Sequence, residues 1–284
     1  MDWFPHVQLN YTVNDKNELN FSYDRGINRA LYELINPFRR YVDLYDYTAG
    51  NPNLLPQYTD KIELTHTYNK TLVTSLYGMT TTNFYGFTNL LQNDSNKVSV
   101  TTNSNFGIYS VLGIRVSAPV VFTSWWDASF SVDASYQRIK AYPQYGNLNK
   151  GTQDVIFSGT QNFKISNTLT AQLLGKYETP TFYGIGQFRY VYRIDAAVNK
   201  QLFNKRGNLR LIVNDIFNTQ RDYDVIKYQN LNATIFDKAE SRWFKLSFSY
   251  KFGNSSLKSN AKHSAGNEDE QNRAGGVAGT GNSN

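Results

Sequence analysis

Residues 50–78 read GNPNLLPQYTDKIELTHTYNKTLVTSLYG. Pro52 and Pro56 stiffen a stretch that cannot join a ladder, because proline has no N–H to donate. Directly after it the side chains alternate. Ile62, Leu64, His66 and Tyr68 fall on one face, and Glu63, Thr65 and Thr67 on the other. Asn69-Lys70 then reverses the chain into a partner strand. A proline-bearing loop feeding a regular hairpin has to be explained by the rest of the chain.

The period of two recurs. Trp126, Ala128, Phe130, Val132, Ala134 and Tyr136 oppose Asp127, Ser129, Ser131, Asp133, Ser135 and Gln137. Phe244, Leu246, Phe248, Tyr250 and Phe252 oppose Lys245, Ser247, Ser249 and Lys251. Segments 112–118 and 169–177 follow the same rule. One face is apolar with aromatics near its ends; the other is small and hydroxylated. A soluble sandwich alternates too, but its strands usually run about 5–6 residues. Several here hold the pattern for about 9–12, the length a tilted strand needs to cross a bilayer. The pattern therefore predicts an all-β protein, an antiparallel transmembrane β-barrel.

Eleven strands are predicted, at 6–13, 18–24, 61–68, 71–80, 104–118, 125–139, 154–165, 168–178, 188–202, 208–217 and 241–252. Short turns fall near 14–17, 69–70, 166–167 and 204–207. Long loops fall near 25–60, 82–97, 140–153, 179–187 and 220–240. Short turns on one side and long loops on the other are the mark of periplasmic and extracellular connections. The first strand then enters from outside and the last ends in the periplasm.

Composition narrows the alternatives. Among 284 residues 18% are charged and 15% aromatic, with a mean hydropathy of −0.52. No apolar run is long enough for a spanning helix; a barrel shows lipid only every second residue, so this does not exclude it. Cysteine is absent, which excludes disulfides and thiolate metal sites. The net charge of +6 is scattered rather than clustered, so nucleic acid is not an expected partner. Met1–Pro5 lacks the features of a signal peptide. Residues 1–252 are assigned to the barrel, and 253–284, rich in Gly, Ser and Asn, to a disordered polar tail.

Over about residues 1–252 the chain resembles the outer-membrane β-barrel of TonB-dependent receptors, in the branch whose members often carry an N-terminal carboxypeptidase-regulatory-like domain. The resemblance rests on Phe4-Pro5, the Tyr23–Arg29 run, Ile35-Asn36-Pro37-Phe38, the loop motif Gly50, Asn51, Pro52, Leu54 and Pro56, and Ile62-Glu63-Leu64. Downstream landmarks are Tyr177-Glu178-Thr179-Pro180, Gly184 or Gly186, and Val213–Thr219, including Asn214, Asp215, Phe217 and Asn218. Gln57 stands where the family usually has Glu, and Ala30 where it often has Pro. Phe248, Tyr250 and Phe252 resemble the insertion signal read by the barrel-assembly machinery, although 32 residues follow Phe252.

The resemblance implies uptake of an extracellular ligand, driven by TonB acting on a plug, in the Gram-negative outer membrane. It implies as partners the lipid, the assembly machinery and an N-terminal half bearing plug and TonB box. Receptors of this kind have about 22 strands, so eleven correspond to a C-terminal half. An open set leaves two unpaired edges, which lipid does not tolerate. The expectation is that this chain alone neither closes nor transports. A binding or adhesion barrel without transport, and a soluble glycan-binding or glycan-cleaving β-protein, are the rival readings.

No catalytic, cofactor or metal site is predicted, and the chain is read as a non-enzyme. Asp127 and Asp133 share a face but stand about 20 Å apart along a strand, too far for a glycosidase pair. His6, His66 and His263 are remote from one another. Gly184-Ile185-Gly186 lacks the strand-to-helix setting of a phosphate loop. Trp125, Trp126 and Tyr136 read as interface anchors. Tyr142 and Tyr145 read equally as ligand contacts or packing. Arg39, Arg40, Arg189 and Arg193 read as solvated loop or lumen residues rather than an anion site.

Overall fold

A computed structural model describes residues 2–93, 98–183, 186–228, 231–238 and 240–252. The tail 253–284 lies outside the described residues. Strands occupy His6–Asn14 (β1), Asn17–Asn28 (β2), Arg40–Tyr41 (β3), Asp46–Thr48 (β4), Gln57–Tyr68 (β5) and Leu72–Asn93 (β6). They continue with Val98–Thr123 (β7), Trp126–Ala141 (β8), Asn149–Lys164 (β9), Leu169–Glu178 (β10), Thr181–Tyr183 (β11) and Gly186–Phe188 (β12). The last five are Val191–Leu202 (β13), Gly207–Asn214 (β14), Asp222–Tyr228 (β15), Leu231–Asp237 (β16) and Trp243–Tyr250 (β17). A short helix, Tyr32–Ile35 (α1), lies between β2 and β3.

The main sheet follows the path β1-β2-β5-β6-β7-β8-β9-β10-β13-β14-β17. These are the eleven strands expected from alternation, each paired antiparallel with the next where the register is described. β1 and β17 end the path and, among the described residues, do not pair with each other.

Register turns alternation into continuous rows. Leu9 faces Phe21, which faces Leu64, then Leu76, Ile114 and Ala134. The neighbouring row, on the opposite face, runs Asn10, Asn20, Thr65, Ser75, Arg115 and Asp133. The first row lies on an exposed apolar face that includes Leu9, Leu64, Leu76 and Ile114. Exposed aliphatic rows of this extent suit lipid rather than water. The second row is stitched by hydrogen bonds: Asn20 donates to Asn10, Thr65 and Ser75 share one at 2.8 Å, and Arg115 Nε donates to Asp133 at 2.8 Å. Among the described residues the ion pairs Lys61–Glu63, Arg115–Asp133, Lys176–Glu178 and Arg193–Asp195 lie on this polar face. Pairing compensates charges that share one wall.

At one end of the sheet Trp126 stacks on Phe122 at 4.1 Å and on Phe163 at 6.0 Å, with Trp125 at 6.2 Å. This cluster sits at the short β7–β8 turn, the level of an interfacial aromatic girdle.

The long connections differ from expectation. Residues 82–93 are not loop but an extension of β6, and β7 begins at Val98 rather than 104, with register shifts between Thr81 and Asn89. Asn83 has a φ of 53° in that irregular stretch. Bulges break the period of two, and alternation alone then reads as loop. The segments 179–187 and 220–240 supply a second sheet, β11-β12-β15-β16. β4 pairs parallel with β7, and β3 pairs with β4, so part of the 25–60 loop joins the main sheet. At the far end, β14 stops at Asn214 rather than 217, because Asp215 adopts a φ of 44°. β17 stops at Tyr250, which leaves Phe252 outside the strand.

Among the described residues, those up to Ser249 form one compact unit, and Tyr250–Phe252 belong to a second. In the second, the rings of Tyr250 and Phe252 meet edge to face at 4.7 Å.

Candidate functional site

The candidate site is the loop assembly beyond the apolar rows, at the end of the sheet opposite the short turns. Ile139 and Ala141 continue the polar-face series Asp133, Ser135 and Gln137 on β8, yet both are buried. With Phe84 and Phe106 they form a core that receives Ile226 from β15, Phe182 from β11, and Tyr109, Tyr145 and Leu148. The four-stranded sheet is thus packed onto the polar-face side of the extended β6–β8 strands. Phe106 is fully buried.

The proline-bearing stretch of residues 50–56 is tied to the same extension. The Gly50 N–H donates to the Asn36 carbonyl at 2.9 Å, and the Asn51 N–H to that of Leu34 at 2.7 Å. A Cβ on Gly50 would stand 2.3 Å from the Asn36 oxygen, so only glycine fits this crossing. The Asn51 amide donates to the Asn103 carbonyl at 3.0 Å. Asn105 accepts from the Leu55 N–H at 2.7 Å and donates to the Leu55 and Asn83 carbonyls. Pro56 gives its carbonyl to Asn83 at 3.4 Å. The Asn51 side chain caps the turn over Pro52 by accepting from the Asn53 N–H, and the Leu54 N–H returns to the Asn51 carbonyl. The odd neighbour of the hairpin is a loop stapled at both ends. Before it, the 38–45 segment presents Phe38, Tyr41, Leu44 and Tyr45 to the outside, with the Arg39 guanidinium 5.0 Å over the Tyr47 ring. Pro37 lies between Asn36 and Phe38, and the Phe38 N–H donates to the Asn36 side chain at 3.2 Å.

A second staple closes the 215–241 connection. The Asp215 carboxylate is fully buried and accepts from the Thr219 N–H and hydroxyl, the Gln220 N–H and the Ser241 hydroxyl. Its own N–H donates to Asp195 at 2.8 Å. Burial alone would raise its pKa; the hydrogen bonds from Ser241, Thr219 and Gln220 outweigh burial and hold it down at about 2. Asn218, at a φ of 55°, returns its N–H to the Asp215 carbonyl, and Phe217 is exposed. Nothing in the sequence joined Asp215 to Ser241, 26 residues on.

The remaining predicted residues fall as follows. Asp127 accepts from Asn162, and Asp133 from Tyr77 and Arg115, so the two carboxylates serve separate pairings. His6 meets Asp24 at 3.1 Å and His66 meets Asn17 at 2.9 Å; His263 lies outside the described residues. Gly186 opens β12, while 184 and 185 lie outside the described residues. Tyr142 bonds Asn83 and Tyr145 packs on Phe106. Arg193 pairs with Asp195, Arg189 lies 4.0 Å over the Tyr223 ring, and Arg40 is exposed in β3. Phe248 is exposed on β17.

A family model described as the outer membrane protein beta-barrel family matches residues 1–250. The chain belongs to that family. Its place is the outer membrane, and its exposed apolar rows meet lipid. No curated protein matches the sequence. Among solved structures, the ferric yersiniabactin uptake receptor of Yersinia pestis is similar at a TM-score of 0.59 and 14% identity, over 88% of this chain and 37% of that one. The FrpB iron transporter of Neisseria meningitidis gives 0.54 and 16%, over 88% and 39%. A siderophore receptor of Pseudomonas aeruginosa gives 0.53 and 15%, over 77% and 39%. At such identities the likeness is one of fold. The chain spans about two fifths of the length of these proteins.

Proposed function

We propose that this chain is the C-terminal wall and loop assembly of a TonB-dependent outer-membrane receptor. The supporting observation is the open eleven-strand path, which superposes on receptors more than twice its length. In this reading the polar face lines a lumen, a plug carried by an N-terminal half fills it, and TonB pulls on that plug. The barrel-assembly machinery inserts the chain through its terminal aromatic strand, and 253–284 is a tail beyond the barrel.

The loop assembly is then the ligand-contacting surface. Its exposed aromatics and arginines suit binding by stacking and charge. Two carboxylates are buried among the described residues, Asp154 and Asp215, and Asp215 serves the structural staple. The ligand class stays open among iron chelates, glycans, peptides and cobalamin.

The test is the coding DNA on the 5′ side of Met1, translated in all forward frames. A signal peptide, a plug with a TonB box and about eleven further strands support the reading. Unrelated sequence there contradicts it and favours a binding or adhesion barrel without transport.

A further inference from the structure

The apolar face carries a feature that ligand uptake does not use. On β5 to β8 its outward series ends in register-matched positions: Ile62, Gly78, Leu112 and Tyr136 form the last apolar row, with Tyr23 beside them on β2. The next row toward the loops is polar, Arg25, Asp60, Thr80, Ser110 and Arg138. A cleft of about 420 Å³ lies across both rows. Gly78 opens it. A Cβ there would come within 3.3 Å of Ile62 Cγ2, so the glycine leaves a notch between Ile62 and Leu112.

The charges at the rim are unequally satisfied. Asp60 accepts from the Tyr23 phenol at 2.8 Å and pairs with Arg25 at 3.3 Å, so that carboxylate is taken up. Arg138 is exposed; its Nε donates to the Asn149 amide oxygen at 2.8 Å, and among the described residues it has no carboxylate partner. Its terminal nitrogens remain available as a planar donor pair. Lys140, two residues on and on the same face, is exposed as well. A guanidinium lining the same cleft as the apolar notch, two strands across from Gly78 and one row toward the loops, on a face that meets lipid, matches a molecule with a phosphate at one end and an acyl chain at the other.

We propose that this cleft binds one phosphorylated glycolipid of the outer leaflet, its phosphate on Arg138 and an acyl chain in the notch over Gly78. The inference goes beyond the receptor reading and rests on the apolar face meeting lipid and on the long connections lying at the cell exterior. Tyr136 and Tyr23 flank the chain at the headgroup level, where amphipathic rings are stable. Bound lipid would seal the sheet at the point where apolar cover thins.

The full chain, purified from outer membranes in mild detergent with any retained partner, is titrated with bis-phosphorylated lipid A, its dephosphorylated form, and inorganic phosphate. Native mass spectrometry counts the bound lipid. The expected result is about tenfold tighter binding of the phosphorylated form, the scale of one charge-assisted contact, with no displacement by equal inorganic phosphate. Arg138→Gln removes that preference, and Gly78→Val weakens both lipids alike. Arg138→Gln, on the exposed rim, carries the decision because it leaves the strand intact. Equal binding of the two lipids by the unmodified chain, or an undiminished preference in Arg138→Gln, overturns the proposal.

Discussion

The spanning part of the sheet and the loop assembly above it bury opposite things. In the spanning part the large apolar side chains are outermost: Leu76 is 52% exposed and Leu112 69%. In the loop assembly Phe106 is 0% exposed and Phe84 5%. The same chain thus places its buried core outside the membrane and its greasy surface within. The difference follows from solvent. Lipid tails give apolar side chains no reason to hide, so what must be satisfied inside the bilayer is the backbone and the polar face. Water imposes the ordinary hydrophobic demand on the loops, and they answer it with a small core of their own.

The comparison predicts where substitutions hurt. Phe106→Ala removes the centre of the loop core and is expected to cost about 3–5 kcal/mol. Limited proteolysis of purified outer membranes should then cut within 181–237 while the spanning strands stay protected. Leu76→Arg places a charge on the lipid face and is expected to cost about 2–4 kcal/mol if it lies near the bilayer midplane, measured by urea unfolding in lipid vesicles. If Leu76→Arg is silent while Leu76→Ala is costly, the two environments have been assigned the wrong way round.

Asp215→Ala leaves the Ser241 hydroxyl and the Thr219 and Gln220 N–H groups without their acceptor, at about 1–3 kcal/mol. Faster amide exchange of 219–220 should report it, with 62–68 unchanged. The acid response of this staple has a definite sign. A carboxyl held at about 2 is lower than in the unfolded chain, so its stabilisation is complete above about pH 4. It fades as the pH falls from there through about 2. A staple that loosens instead as the pH rises would contradict the hydrogen-bond assignment. The most local effect expected is at Gly50→Ala, whose Cβ forces open the Asn36 crossing and should raise protease sensitivity within 36–56 only.

The two regions were also unequally legible. Alternation located every spanning strand, because lipid on one face and polar pairing on the other impose the period of two without interruption from Ile62 to Tyr68 or Trp126 to Tyr136. The loop assembly obeys no single period. Bulges near Asn83 hid the extension of β6, and the short strands 181–183 and 186–188, which pair with each other, reach the rest of their sheet only through 224–226, some 40 residues further on. The loop motif was visible as Gly50, Asn51, Pro52 and Pro56, but its contacts with Asn83, Asn103 and Asn105 are tertiary. Asp215 stood out as part of a landmark, whereas its hub role depended on Ser241 and Asp195, which only the fold brings near.

The most direct test uses the absence of cysteine. Single cysteines are placed at Leu64, Leu76, Ile114 and Ala134, and at the neighbouring Thr65, Ser75, Arg115 and Ser135. Each variant, in outer membranes, carries a fluorophore whose quenching by nitroxide lipids and by a water-soluble quencher is compared. The account predicts lipid quenching at the first four positions and aqueous quenching, or protection by a lumen partner, at the second four. Aqueous quenching of both sets alike would show that the apolar rows do not meet lipid, and the placement of this sheet in the membrane would fall.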